Sequence, residues 1–180
     1  SIGANSVLKE AGIPMISFAS TSPALSDAAS YAHFYRVVPS DSFQGDALAD
    51  VISAAGHRNT AILSMTNAYG AGVGDAFAAA FNAKEGHQVC TRVAYEVSTI
   101  SASVVGDAIA AVAAGDADGN PCDSVLLASY APDGAQMVGG LRLTGSMIPA
   151  FGPDGMAGSS VLDAFGSDTI ASNGIVATKP

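Results

Sequence analysis

From residue 34 onward the chain alternates short apolar runs with amphipathic stretches, and this alternation limits the folds open to it. The runs at 60–65 and 124–129 are apolar-rich, of strand length, and bounded by turn residues. Such runs suit strands buried on both faces. The pattern predicts strands over 34–38, 60–65, 88–96, 124–129, 147–151 and 174–178. Between them it predicts helices over 42–55, 71–84, 102–114, 132–141 and 159–165. In the first helix Phe43, Ala47, Leu48, Val51, Ile52 and Ala55 recur at helical spacing, with Asp41 as the expected N-cap and Gly56 as the stop. Val73, Phe77 and Phe81 are the expected inner face of the second, and Val105, Ile109 and Val112 that of the third. The fold class is therefore α/β, a parallel sheet with helices on both faces. Ligands of such sheets bind beyond the carboxyl ends of the strands, where strand order reverses. That directs attention to 66–69, 97–99, 129–132 and 152–155. Residues 1–36 fit the repeating unit less well. They read as the later part of a helix with Val7 and Leu8 on one face, a strand at 15–18, and a loop.

Charge excludes some partners. The 180 residues carry a net charge of -9, with only seven Lys and Arg, and these are scattered. Nucleic acid is not expected, because neutralising phosphates needs clustered cations, and an anionic membrane surface is disfavoured for the same reason. No apolar run approaches the roughly 18 residues a membrane helix needs, so no direct membrane insertion is expected. Ser1-Ile2-Gly3-Ala4 has neither the basic start nor the apolar segment of a signal peptide. The expectation is that the chain starts inside a domain.

Several strand ends carry groups with chemistry. Ser17, Ser20, Thr21 and Ser22 cluster after the strand at 15–18 and before Pro23. Hydroxyls and free backbone N–H groups together suit a carboxylate, although local turn capping is the commoner use of such a cluster. Asn67-Ala68-Tyr69-Gly70-Ala71-Gly72 follows the strand at 60–65. Gly70, Gly72 and Gly74 are one residue short of the dinucleotide spacing, and Glu96 stands roughly where a ribose-binding acid would. Close helix-on-strand packing is the alternative. Tyr130 opens the turn after 124–129, as a cleft ring or as a core aromatic. Asp154 lies in Pro153-Asp154-Gly155, either a carboxylate held at the cleft to pair an ammonium or part of a simple turn. The acidic stretch from Asp116 to Asp123 lacks the glycine position and final Glu of an EF-hand and reads as a solvated turn. His33, His57 and His87 stand apart from any ligand-spaced group, so no metal or other cofactor is expected. No Gly-x-Ser-x-Gly elbow occurs, and an enzyme is not expected.

The order of these features resembles the type I periplasmic-binding-protein family, in its branch of branched-chain amino acid and amide receptors. The resemblance rests on Gly12-Ile13-Pro14-Met15-Ile16-Ser17-Phe18-Ala19-Ser20-Thr21-Ser22-Pro23-Ala24-Leu25-Ser26-Asp27, on Phe34-Tyr35-Arg36-Val37-Val38-Pro39-Ser40-Asp41 with Gln44-Gly45, and on Asn67-Ala68-Tyr69-Gly70. It implies that residues 1–37 are a remnant of the first lobe with the hinge crossover, and that 38–180 are a nearly complete second lobe. It implies no catalysis, but closure of two lobes on a small amino acid or a close analogue such as an amide or keto acid. Ser20, Thr21 and Ser22 fall where the family holds the ligand α-carboxylate and part of the ammonium, with Ser20 at a position usually Ala. Tyr69 matches the Tyr-Gly whose ring reaches ligand or hinge, and Tyr130 a frequent contact. Asp154 matches an acid, commonly Glu, that pairs the ammonium. The resemblance further implies a periplasmic or other extracytoplasmic location and the membrane permease of an ABC importer as partner. A ligand-sensing regulatory domain of the same fold is the first alternative, and a nucleotide-binding enzyme domain the second. In an exported protein Cys90 and Cys122 often would pair, since the compartment permits it; two separate thiols are the alternative.

Overall fold

The structure, a computed structural model, describes residues 2–158, 161, 163 and 174–178. Helix α1 (Ile2–Glu10) precedes strand β1 (Met15–Ser17), a 3-10 turn (Pro23–Ser26) and strand β2 (Phe34–Arg36). The alternation follows: α2 (Asp41–Ala54), β3 (Asn59–Met65), α3 (Ala68–Asn82), β4 (Gln88–Tyr95), α4 (Ala102–Ala114), β5 (Ser124–Ala128), α5 (Ala131–Leu143), β6 (Ala150–Gly152), a 3-10 turn (Asp154–Met156) and β7 (Ile175–Ala177). Of the helix expected over 159–165, all but Val161 and Asp163 lie outside the described residues.

β1 and β2 form a separate two-stranded parallel sheet, Met15 facing Phe34. The other strands form one parallel sheet in the order β4-β3-β5-β6-β7. Strand order reverses between β3 and β5, so their carboxyl ends flank the crevice such sheets use for ligands. All seven residues of β3 and all five of β5 are buried. Leu63, Met65, Val125 and Leu127 face α4 and α5, with Val112, Met137, Val138 and Leu141 packed over them. Ile62, Leu126 and Phe151 face α2 and α3, with Leu48, Ile52, Val73, Phe77 and Phe81 over them. The two covering layers explain why these strands are continuous apolar runs and not alternating ones.

One expectation needs correction and two need sharpening. Asp41 is not the cap of α2: the Ser40 side chain accepts the N–H of Ser42, and Asp41 is already helical. Of the six apolar positions expected for this helix, Leu48 and Ile52 are buried, while Phe43, Ala47, Val51 and Ala55 are exposed. The inner stripe is Gly45, Leu48, Ala49 and Ile52, because α2 lies so close on α3 that a Cβ at Gly45 would stand 2.5 Å from that of Ala76. On α1, Val7 is exposed and Leu8 half-buried, while Asn5 is the buried residue.

Cys90, in β4, and Cys122, before β5, form a disulfide with Cα atoms 5.8 Å apart. It ties the loop 116–123 back to the edge strand. Within that loop Asp116 accepts from the N–H groups of Asp118 and Asn120 and from the side chains of Asn120 and Gln88. It is a self-satisfied acidic turn, and those hydrogen bonds hold its carboxyl below the usual range.

Candidate functional site

The hydroxyl loop begins where β1 stops. Ser17 turns its hydroxyl back to accept from the N–H groups of Ala19 and Ser20, at 3.3 and 3.0 Å, and this bends the chain out of the strand. Pro23, with its fixed φ, then opens the 3-10 turn. Thr21 and Ser22 between them are buried, and the Ser22 hydroxyl donates to the Ala68 carbonyl at 3.4 Å, joining the loop to the start of α3. Arg36, the last residue of β2, donates to the carbonyls of Thr21 and Ser22, each at 2.9 Å.

The opposite wall comes from three strand ends. After β3, Asn67 caps α3 by accepting the Gly70 N–H at 2.8 Å, which places Tyr69 in the first helical turn. After β5, Tyr130 sits at the N-cap of α5. Its ring stacks on Tyr69 with centroids 5.2 Å apart and planes within 7°. After β6, Asp154 accepts the Tyr69 hydroxyl at 2.5 Å, and the same hydroxyl accepts the Gly155 N–H at 2.9 Å. Burial first, then the Asp154 carboxylate, pushes the Tyr69 phenol far above its ordinary value. It therefore remains a neutral donor at any physiological pH. Gly155 is required here, since a Cβ would stand 2.7 Å from the Tyr69 hydroxyl oxygen.

The loop and the two rings line one cleft of about 260 Å³: Ser20, Thr21, Ser22, Tyr69 and Tyr130 all border it, and Asn67 with them. Asp154 joins through its bond to Tyr69. The six residues expected at the site thus lie together, although Tyr69 and Asp154 are 85 positions apart in sequence.

Sequence reasoning missed Asp41. Its backbone N–H donates to the Thr21 carbonyl at 2.9 Å, so it stands directly behind the loop. It is wholly buried, and neither carboxyl oxygen has a well-formed hydrogen bond. Burial pushes its pKa up to about 6; the nearby charge of Asp154 adds to this, while the Thr21 hydroxyl and Arg36 oppose it. A buried carboxylate without a full complement of partners is costly and is satisfied by a cation. The signal was in the sequence as Ser40-Asp41, but two cap-forming residues in succession hid it. The site thus sets the hydroxyl loop, with Asp41 buried behind it, against two rings and a phenol bonded to Asp154, an arrangement suited to a molecule with one anionic and one cationic end.

The glycines of the other reading do not form a phosphate loop. Gly70, Gly72 and Gly74 lie within α3, where they admit Met65, Pro23 and Arg92 at close range. Among the described residues no group of three His, Cys, Asp or Glu is placed to hold a metal ion. Nor is any helix there long and apolar enough to cross a membrane.

Known proteins resemble this chain at two levels, in sequence and in fold. Residues 1–116 match the model of the receptor family ligand binding region. Metabotropic glutamate receptor 6 of Oryctolagus cuniculus is 43% identical over 77 residues, which are 43% of this chain and 9% of that receptor. Metabotropic glutamate receptor 8 of Homo sapiens is 42% identical over 77 residues, 43% of this chain and 8% of the receptor. The matched segment is therefore less than a tenth of either receptor. A solved structure described as "a putative branched-chain amino acid ABC transporter from Rhodospirillum rubrum" covers 98% of this chain with a TM-score of 0.72 and 22% identity, and the chain spans 47% of it. These proteins bear the names of receptors and a transporter, not of enzymes. The family model covers well over half of the chain, and the fold is that of one lobe of a type I periplasmic-binding protein: the chain belongs to the receptor family of ligand-binding regions.

Proposed function

We propose that this chain is the greater part of one lobe of an extracytoplasmic receptor for a small amino acid or a close analogue. Residues 1–37 would belong to the first lobe and its hinge crossover, and 38–180 to the second. The observation that carries the reading is the facing of the Ser20-Thr21-Ser22 loop against Tyr69 and Tyr130, with Asp154 bonded to the Tyr69 hydroxyl. The loop would hold the ligand carboxylate through charge-assisted hydrogen bonds. Asp154 would hold the ammonium, with the negative charge of Asp41 nearby and the Tyr69 and Tyr130 rings screening the pair from water. Lobe closure would remove that water and so strengthen each charge pair.

Delivery to an ABC permease is the downstream role favoured by the likeness in fold to the transporter structure. Signalling through a fused or associated domain is the second reading. It is favoured by the higher sequence identity to two receptors whose names include glutamate. Both readings share the amino acid site and the extracytoplasmic location.

A thermal-shift panel of amino acids and nucleotides at millimolar concentration tests the shared part. A ligand present at 100 times its dissociation constant stabilises by about 2.7 kcal/mol. One lobe leaves most of a ligand in water, so the shift on the 180-residue chain will be small and confined to amino acids. A shift with nucleotides alone would overturn the reading.

A further inference from the structure

Two successive carbonyls of the hydroxyl loop are turned toward one guanidinium. Arg36 Nη1 donates to the carbonyls of both Thr21 and Ser22, and Nη2 to the Ser26 hydroxyl. The Thr21 carbonyl also accepts the Asp41 N–H, and the Ser22 carbonyl accepts the Leu25 N–H at 3.2 Å. No cis peptide occurs among the described residues. In a planar trans peptide the N–H points opposite to the C=O. With the Thr21 carbonyl drawn to Arg36, the Ser22 N–H is turned away from it. The next peptide ends at Pro23 and has no N–H to aim.

Arg36 does not itself line the cleft, whereas Ser20, Thr21 and Ser22 do. The carbonyls would repel an anion. Gathering them behind the loop around a cation takes the repelling oxygens away from the ligand and leaves the Ser22 N–H, turned from Arg36, backed by a positive charge. A guanidinium suits this task better than an ammonium because its fork fixes several acceptors in one plane.

We propose that Arg36 is a positioning residue for carboxylate recognition, acting through the peptide orientation of residues 21–22 and not by touching the ligand. The proposal rests on the amino acid reading above and assigns the carboxylate half of that site to the loop that Arg36 shapes.

The test is an NMR titration of the ¹⁵N-labelled 180-residue chain with L-alanine, L-leucine and L-glutamate, each compared with its own α-carboxamide. The carboxamide keeps the ammonium and loses the charge that the loop would bind. In the wild type at least one acid should bind more tightly than its amide. In Arg36→Met that preference should fall on the order of tenfold, the size of one charge-assisted hydrogen bond, while amide binding stays within about twofold. Equal weakening of both ligands would mark Arg36 as merely structural and overturn the proposal, as would an unchanged preference. If Arg36→Met does not fold, Arg36→Lys decides: it keeps the charge and loses the fork. A preference lowered about threefold or more supports the proposal, and an unchanged one overturns it. Failure of the wild type to bind any of the six compounds would instead overturn the amino acid reading itself.

Discussion

The five-stranded sheet and the two-stranded sheet meet solvent in opposite ways. Every residue of β3 and β5 is buried between two layers of helices. On and beside β1 and β2, Ile16, Phe18, Tyr35 and Val37 are exposed, Phe18 to 84% and Val37 to 75%. The same kinds of side chain thus stabilise one region and contribute little to the other. The cleft lies at the seam, its hydroxyl wall following the exposed sheet and its two rings, with Asp154 bonded to one of them, following the buried one.

Variants can break or sharpen that contrast. The largest effect is expected at Phe77, wholly buried and stacked on Phe81 with centroids 4.9 Å apart. Phe77→Ala should cost about 3–5 kcal/mol in urea-unfolding stability. A cost near 1 kcal/mol would mean that the core collapses around the gap. Next comes the Cys90–Cys122 disulfide, whose sequence separation is 32. Loop-entropy reasoning gives about 3–4 kcal/mol for a loop of that size, read as a fall in the unfolding midpoint on adding a reductant. An unchanged midpoint would show that native packing already constrains the loop.

Asp41 should act in the opposite direction. Its pKa is raised from 3.8 to about 6 in the fold, so between those values the folded chain binds the extra proton and the unfolded chain does not. Its contribution therefore makes stability fall as pH rises from about 4 to about 6, then level off. Asp41→Asn should be more stable than wild type by about 1–3 kcal/mol at pH 7, with the gap closing toward pH 4. The same variant should lose ligand affinity. A destabilised Asp41→Asn would show that the ionised carboxyl already has a good partner. The smallest effect is expected at Ile16, exposed to 72%. Ile16→Ser should change stability by less than about 0.5 kcal/mol. A loss comparable with Phe77→Ala would erase the distinction between the two regions.

Legibility in the sequence followed the same division. β3 and β5 were readable because burial on both faces writes itself as an apolar-rich run without strict alternation. α2 was found, but not which of its faces is the inner one. Apolar side chains occupy two of its stripes, and spacing alone does not say which one meets the core. The deciding residue is Gly45, whose lack of a side chain lets α3 approach, so the stripe with small residues faces in and Phe43 faces out. Helix α3 begins earlier than its apolar spacing suggests, because Asn67 caps it at Ala68, and this removes the apparent glycine loop. At the site, the hydroxyl loop and the tyrosines were visible as types of residue at strand ends. The bond from Tyr69 to Asp154 was not, since nothing local records a contact over 85 positions. Asp41 was read as a local cap because its burial depends on the loop at Thr21, twenty residues earlier.

A ¹H–¹⁵N chemical-shift map of the chain with a saturating L-amino acid tests most directly whether a zwitterion is held at this seam. The backbone amides of Thr21, Ser22, Tyr69 and Gly155 should move together, at the carboxyl ends of the strands. Shifts confined to Arg58, His87 and Asn120, which line a separate hollow at the amino ends, would contradict the account.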